Sequence, residues 1–188
     1  NNHLLLSARE DNIILNLTLR PSKPPILQGQ NGFSRKGKGA GNASYYYSLP
    51  NMHTVGSLQI QDTTYPVTGT SWFDHEWSTS ALDSDVAGWD WFAAHLEDGR
   101  DIMVCRVRNR KGKANGFGFG SISFPDGSYR ILSETDFTLS PKSTWKSPET
   151  KRKYPLEWHI SIPTHQLSLD VRPYMENQEH HHTFAYWE

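Results

Sequence analysis

Residues 71–78, with the sequence SWFDHEWS, place three ionisable side chains among aromatic ones. In an extended strand alternate side chains point to opposite faces, so Phe73, His75 and Trp77 share one face while Asp74 and Glu76 share the other. A carboxyl or imidazole group packed against aromatic rings can act as an acid or a base, because burial shifts its pKa. The chemistry of this stretch therefore depends on which face lines a cavity.

A second stretch, GWDWF at residues 88–92, supplies the predicted acid. Both faces of this strand mix polar and large apolar groups, which is typical of a cavity with a few convergent polar groups. Burial against Trp and Phe would raise the pKa of a carboxyl group and make it a proton donor near neutral pH. We predict Asp90 as this donor and His75 as its partner. The aromatic residues predicted to bind substrate are Tyr46, Phe73, Trp77, Trp89 and Trp91.

A structural interpretation fits the same spacing, with His75 hydrogen-bonded within the sheet and Asp90 capping a loop. Metal ligation is not predicted, because the adjacent Asp74, His75 and Glu76 cannot all turn toward one ion from a strand. In the histidine triplet at residues 180–182, alternation turns the middle ring away from its neighbours. The sequence therefore predicts neither a metal site nor a cofactor.

The composition narrows the partner classes. The 188 residues carry 19 basic and 20 acidic side chains, a formal net charge of −1, so no broad electrostatic footprint for nucleic acid exists. Seven Trp, eight Tyr and eight Phe supply the large, stiff apolar surfaces that line ligand cavities. The single Cys105 excludes an intrachain disulfide. No apolar run is long enough for a transmembrane segment, and the first residues lack a signal-peptide pattern.

The elements that position these residues are strands. Period-two alternation recurs along the chain, and no segment has the pattern of a long amphipathic helix. The strands are predicted at residues 13–20, 54–60, 88–97, 101–108, 117–124, 129–139, 156–162 and 166–172. Asp98-Gly99 and Asp126-Gly127 are hairpin turns, which makes consecutive strands antiparallel neighbours. About ten strands fit a sandwich or a barrel with a lined interior, and we favour the barrel. The glycine-rich segment 28–44 is predicted to be a long loop or a wrap around one barrel mouth.

Several motifs resemble those of the AttH and carotenoid 1,2-hydratase-like family. They are LQGQNGFSRKG, NASYYYS, FDHEWS, GWDWF, DGRDIMVCRVR, TWKSPETKRKYPLEWHISIP and YWE, and together they extend over nearly the whole chain. The resemblance implies a lipocalin-like antiparallel β-barrel over residues 1–188, as one part of a longer protein that has an upstream segment and a second, C-terminal barrel. Many family members carry secretion signals and the label of predicted secreted hydrolases, which implies a periplasmic or secreted location.

The resemblance also implies acid chemistry on hydrocarbons, since carotenoid hydratases protonate a terminal double bond and add water to the carbocation. His75 and Trp77 match the hydratase pattern of a His and a Trp two residues apart. The later Tyr and Asp pair of that pattern has no clear counterpart, because Met103 and Cys105 stand in the corresponding stretch.

Three functions remain open from the sequence. The first is binding of an apolar polyene, isoprenoid or lipid-like molecule in an aromatic cavity. The alternative is an acid-catalysed hydratase, isomerase or cyclase acting on such molecules. In the third, the aromatic residues pack against the second barrel, GWDWF is an interdomain interface instead of a cavity wall, and the domain is a structural module. We place ligand binding first, because the cavity composition comes from the sequence whereas the acid comes by analogy.

Overall fold

A computed structural model describes residues 3–39, 41–78, 85–181 and 185–188. Within these ranges the chain forms seventeen strands, all paired antiparallel, and one 3-10 turn at Pro163–His165. The prediction of an all-β antiparallel fold is confirmed. The strands outnumber the predicted ten because several pairings are only two or three residues long. None of the helices in the described part is long and apolar enough to cross a membrane.

The residue contacts divide the chain into two compact units, Asn1–Ser133 and Glu134–Glu188. The strands of the first unit are β1 (Leu4–Glu10), β2 (Ile13–Pro21), β3 (Ile26–Leu27), β4 (Phe33–Arg35), β5 (Ala43–Ile60), β6 (Thr63–Trp77), β7 (Val86–His95), β8 (Asp101–Asn109), β9 (Phe119–Ser123) and β10 (Tyr129–Ser133). Strands β1 to β6 form one sheet around the long β5, and the other sheet has the order β10-β9-β8-β7.

The second unit contains three smaller sheets. Its strands are β11 (Thr138–Pro141), β12 (Thr144–Lys146), β13 (Lys153–Pro155), β14 (Trp158–Ile162), β15 (Leu167–Val171), β16 (Glu179–His181) and β17 (Ala185–Trp187). The sheets have the orders β11-β14-β15, β12-β13 and β16-β17. Alternation in β14 buries Trp158, Ile160 and Ile162, which agrees with the period-two pattern of the sequence.

The two sheets of the first unit enclose a shared core. Tyr46 from β5 packs with side chains from β8 and β9, and Trp72 and Val86 close the cluster. The β8 and β9 members are Met103, Cys105, Val107 and Phe119. Among the described residues no hydrogen-bonded ladder joins the two sheets, so barrel closure stays a prediction.

The predicted turns lie where the sequence placed them. Gly99 connects β7 to β8 and Gly127 connects β9 to β10, with φ of 80° and 83°. Glycine adopts this left-handed conformation without steric cost, which explains its place in both hairpins. The segment 28–44 is more ordered than a simple loop, because Phe33–Arg35 pairs with β5 and Gln28 is fully buried.

Strand β5 contains an irregularity that sets the orientation of β6. The pairing runs from Ser48 opposite Asp74 to Leu49 opposite Phe73, and resumes with Met52 opposite Ser71. One extra residue therefore lies on β5 between the two registers, as in a β-bulge. Residues that face each other across a strand pair point to the same side of the sheet. Ser71 therefore points inward with Met52, whereas Asp74 points inward with Ser48, so the inward residues of β6 change from odd-numbered to even-numbered at the bulge.

A buried charge network joins β7, β8 and β9. The carboxylate of Asp101, whose side chain is 1% exposed, lies 2.6 Å from Lys23 Nζ and 2.7 Å from His95 Nδ1. Ser123 and Asn51 donate hydrogen bonds to it at 3.0 and 3.1 Å. Burial alone would raise the pKa of Asp101, but these four partners together hold it below its usual value.

Gly56 of β5 lies tightly against the backbone of β2, and its replacement by Ala is expected to destabilise the protein. A Cβ atom there would lie 2.0 Å from the carbonyl oxygen of Asn16 and 2.9 Å from Leu17 Cα. Since backbone atoms cannot move aside cheaply, we expect Gly56→Ala to lower the free energy of unfolding by about 1–3 kcal/mol. Urea denaturation measures this loss. Gly69→Ala is the matched control, because no atom lies within 4 Å of the Cβ position on the neighbouring strand. Equal midpoints for the two variants would contradict this explanation.

Candidate active site

A cavity of about 480 Å³ lies within the first unit. Both sheets and the segment before β5 contribute to its wall, which is lined by Lys36, Asn42, Ala43, Ser44, Tyr46, Asp74, Glu76, Ser78, Trp89, Trp91, Cys105, Val107 and Phe119. The four-stranded sheet provides mainly aromatic and apolar side chains, whereas β5 and β6 provide most of the polar ones. This segregation places an acidic wall opposite an aromatic one.

The acidic wall follows from strand alternation and register. Along β5, Ser44, Tyr46 and Ser48 are buried whereas Tyr45 is exposed. Asp74 and Glu76 of β6 lie opposite Ser48 and Tyr46, so their side chains share the inner face. The orientation of residues 71–78 is therefore the one that turns the carboxylates toward the cavity.

Asp74 is half-buried on this wall and is surrounded by polar donors. Its Oδ1 accepts hydrogen bonds from the Ser48 hydroxyl at 2.5 Å and from the Trp72 indole N–H at 2.8 Å. Burial raises the pKa of Asp74 above its usual value, and the negative charge of Glu76 adds to this effect. Hydrogen bonds from Ser48, Trp72 and Tyr46 oppose the rise only in part. The arrangement favours a neutral carboxylic acid that can donate a proton.

Tyr46 links the acid to the aromatic wall. Its hydroxyl oxygen accepts a hydrogen bond from the Trp91 indole N–H at 3.3 Å. Burial, with the charge of Asp74 next, raises the pKa of the Tyr46 phenol well above its usual value. The phenol therefore keeps its proton and is a hydrogen-bond donor to Asp74.

Glu76 has a different environment from Asp74 although only one residue separates them. Its Oε1 is 2.7 Å from Lys36 Nζ and accepts a hydrogen bond from Ser44. The same ammonium group lies over the Phe119 ring at 4.4 Å and the Tyr46 ring at 5.4 Å. Glu76 is therefore paired with a cation, whereas Asp74 has only neutral donors, an asymmetry typical of acid and base roles for two carboxyl groups.

The structure brings three of the predicted binding residues to one cavity. Tyr46, Trp89 and Trp91 all line it, and the two indoles remain 50% and 39% exposed. Phe73, His75 and Trp77 do not line it. They lie together on the other face of β6, where the His75 ring centroid is 5.0 Å from Trp77 and 6.2 Å from Phe73.

The two predicted catalytic residues are thus separated from the cavity wall. Tyr47 lies beside His75 with ring centroids 5.4 Å apart. Asp90 is 9% exposed and lies outside the cavity lining, with its carboxylate 2.7 Å from Arg106 Nη2 and 3.2 Å from Arg108 Nε. Because Asp90 alternates with Trp89 and Trp91, the inward orientation of both indoles turns it to the opposite face.

The site residues predicted from the sequence do not include Lys36, Asp74 or Glu76, although strand alternation placed Asp74 and Glu76 on one face. Ser44 and Ser48 are the residues from which these carboxyl groups could have been identified. They lie on the same face of β5 as Tyr46, and their hydroxyl groups can donate hydrogen bonds to carboxylates on the neighbouring strand.

Of the histidine triplet, His182 lies outside the described residues. Its neighbour His180 stacks on Tyr186 at 5.2 Å, and His181 Nε2 lies 2.7 Å from Glu149.

Comparison with known proteins identifies close structural similarity. The sequence profile of the AttH-like family matches residues 1–188. The crystal structure of an AttH protein from Nitrosomonas europaea is similar with a TM-score of 0.89 and 34% identity, covering 98% of this chain and 58% of that one.

Two curated proteins are more distant relatives. Dehydratase asqC of Emericella nidulans is 23% identical over 180 residues, and kievitone hydratase of Fusarium solani subsp. phaseoli is 25% identical over 161 residues. The matches cover 92% and 82% of this chain but 50% and 44% of the relatives, so the chain spans about half their length.

Proposed function

The chain belongs to the AttH-like family, and from this premise we propose that it supplies the acid site of a hydro-lyase. The enzyme would add water to, or remove it from, a carbon–carbon double bond of an apolar substrate bound between Asp74 and the tryptophans. The observation that carries the proposal is the half-buried position of Asp74 on the cavity wall, together with the aromatic residues of the same cavity and the raised pKa of Asp74. The names of the relatives, a dehydratase and a hydratase, support the same reaction class.

The proposed step conserves atoms and charge. The carboxyl proton of Asp74 bonds to the less substituted alkene carbon through the π electron pair, which leaves a carbocation on the neighbouring carbon and a carboxylate on Asp74. A water oxygen then donates a lone pair to the cation, and the extra proton of that oxygen returns to the carboxylate. The reverse order removes water from a tertiary alcohol. The acid is regenerated in both directions.

The remaining wall would stabilise the cation and exclude competing chemistry. The faces of Trp89 and Trp91 offer negative π density, as in cation–π interactions. The carboxylate of Glu76 would add a fixed negative charge, which Lys36 holds in place. Tyr46 would donate a hydrogen bond to the carboxylate formed after proton transfer.

The reaction class is tested with the complete natural protein and two probes, kievitone for hydration and linalool, a tertiary allylic alcohol, for dehydration. Mass spectrometry is expected to show a product that has gained or lost one water molecule. In D₂O, hydration should also place one non-exchangeable deuteron on carbon, because the proton donor exchanges with solvent. Bound probes that remain unchanged would contradict the hydro-lyase assignment and favour a carrier function.

The second candidate is a carrier for an apolar ligand, which the partly exposed indoles of Trp89 and Trp91 at the cavity favour. In this case the polar groups only orient the ligand. The same mass spectrometric assay distinguishes the carrier from the enzyme. A bound probe would quench tryptophan fluorescence in both cases, but a carrier would leave the mass of the probe unchanged.

We also propose that the lipocalin-like sheets close into a barrel beside a second barrel in the complete protein. Support for the second barrel comes from an aromatic cluster on the outer face of β4, β5 and β6, in which Tyr47 and Phe73 are half-buried and the other members are exposed. Its members are Phe33, Tyr45, Tyr47, Phe73, His75 and Trp77, with neighbouring ring centroids 5.0–6.4 Å apart. An exposed aromatic surface of this kind is typical of a protein interface.

A further inference from the structure

Three fully buried polar residues continue the hydrogen-bond network of Asp74 into the core. Gln28, Ser48 and Ser121 are all 0% exposed. Gln28 Nε2 lies 2.9 Å from Ser48 Oγ and 3.0 Å from Ser121 Oγ. The backbone N–H of Gln28 donates to the Tyr46 carbonyl at 3.0 Å, which fixes the residue against β5. The chain Gln28–Ser48–Asp74 therefore connects two strands and the segment that follows β3.

The direction of the hydrogen bonds in this chain follows from proton counting. Ser48 has one hydroxyl proton, and it donates that proton to Asp74 Oδ1 at 2.5 Å. The partner at 2.9 Å must then be a donor, which only the amide nitrogen of Gln28 can be. Gln28 Oε1 has no hydrogen-bond partner among the described residues, although it is buried. Reversing the amide would give that oxygen a partner, but the Ser48 proton would then point away from Asp74.

We infer that Gln28 and Ser48 are positioning residues that direct a one-way hydrogen-bond chain to Asp74 and so determine which carboxyl oxygen carries the transferable proton. Oδ1 already accepts from Ser48 and from the Trp72 indole, so the proton resides on Oδ2, which still has a lone pair for the Tyr46 phenol. This inference rests on the proposed role of Asp74 as proton donor. It assigns a function to the LQGQNGF segment, which supplies Gln28 from outside the cavity wall.

Removal of the chain should raise the pKa of the acid, because a hydrogen bond donated to a carboxylate favours its charged form. The titratable groups that face Asp74 are Tyr46 from β5 and Glu76 from its own strand, and Lys36 pairs with Glu76. None of these is changed by substitution at Ser48 or Gln28. A proton donor is active when protonated, so the alkaline limb of the pH–rate profile should move to higher pH.

The test compares Ser48→Ala, Gln28→Met, Ser48→Thr and the matched control Ser121→Ala in the complete natural protein. Two readouts are used, the alkaline limb of kcat/KM with linalool and the ¹³C-carboxyl NMR titration of Asp74, assigned by its absence in Asp74→Asn. Ser48→Ala is expected to raise the midpoint of the alkaline limb and the midpoint of the Asp74 titration by about one to two pH units. Gln28→Met should produce a smaller rise, because the Ser48 proton is freed but not removed. Ser48→Thr is the conservative rescue, because it keeps the hydroxyl, and Ser121→Ala leaves the Ser48–Asp74 bond intact, so the Asp74 titration of both variants should match that of the wild type.

The NMR titration separates this inference from the proposed function. An unchanged Asp74 titration in Ser48→Ala, or equal shifts in Ser48→Ala and Ser121→Ala, would overturn the hydrogen-bond chain whatever the activity of Asp74→Asn. If the expected order of titrations is found while Asp74→Asn retains full turnover, the chain stands and the proton-donor role fails.

Discussion

Replacing Asp74 with Asn is expected to lower turnover by about 10²–10⁴-fold while leaving the protein folded. The amide cannot donate the carboxyl proton, yet it retains the shape of the side chain. The hydrogen bonds from Ser48 and Trp72 end on Oδ1, and the amide oxygen of Asn can accept both. Tyr46, the third donor to Asp74, has a hydroxyl that can turn to accept from the Asn amide nitrogen. Single-turnover kinetics with the complete protein measures the loss, and circular dichroism verifies the fold.

The stability of Asp74→Asn should change in the opposite sense to its activity. A carboxyl whose pKa is raised in the folded state stabilises the fold below its unfolded pKa, about 3.9, and loses this contribution as pH rises through the folded pKa. Asn carries no charge at any of these pH values. Asp74→Asn should therefore melt at least as high as the wild type at neutral pH, and the advantage should shrink below about pH 4.

The variant Asp90→Asn tests whether the proton donor is Asp74, as the cavity geometry indicates, or Asp90, as the sequence predicted. Asp90 is paired with Arg106 and Arg108 outside the cavity lining, so this variant should lose stability but keep its turnover per folded molecule. The reverse result, an inactive Asp90→Asn and an active Asp74→Asn, would restore Asp90 as the proton donor.

Asp101→Asn is expected to cause the largest loss of stability, about 3–5 kcal/mol at neutral pH. The substitution removes the negative charge from beside Lys23, whose side chain is only 9% exposed, and leaves its ammonium group buried without a counterion. For a chain of this size the loss corresponds to a fall in Tm of roughly 6–20 °C. Differential scanning calorimetry between pH 2 and 8 measures it.

The pH dependence of this loss has a definite sign. The pKa of Asp101 is lowered in the fold, so its contribution is present above the unfolded value of about 3.9 and is lost as pH falls through the folded pKa. The stabilities of wild type and Asp101→Asn should therefore converge in acid. Asp98→Asn, which changes an exposed ion pair with Arg100 a few residues away, should have little effect at any pH. A constant gap between wild type and Asp101→Asn from pH 8 to 2 would contradict the explanation.

The fold class could be read from the sequence because alternation is a local property. Strands β14 and β15 show the period of two over five residues, and Gly99 and Gly127 mark hairpins through the conformation that only glycine adopts easily. Barrel closure could not be read in this way, because it depends on pairing between residues far apart in the chain.

The orientation of the site was beyond sequence analysis for a related reason. In residues 72–77 both faces carry aromatic or ionisable groups, so hydrophobicity does not distinguish inside from outside. The position of the bulge between Leu49 and Met52 decides the question, and no residue of β6 encodes it. Asp90 lies outside the cavity lining because Trp89 and Trp91, which alternate with it along β7, occupy the inner face.

The bulge on β5 has an evolutionary consequence. Ser71, on one side of it, accepts a hydrogen bond from the buried Thr54, whereas Asp74, on the other side, accepts one from the buried Ser48. Loss of the extra residue by a single-codon deletion would carry one register through the whole pair, so one of the two segments of β6 would exchange its faces. If the register at Met52 and Ser71 prevailed, His75 and its aromatic neighbours would replace the carboxyl groups on the cavity wall. An insertion or deletion in β5 is therefore a single genetic event that changes which side chains of β6 line the cavity, without any substitution in β6 itself.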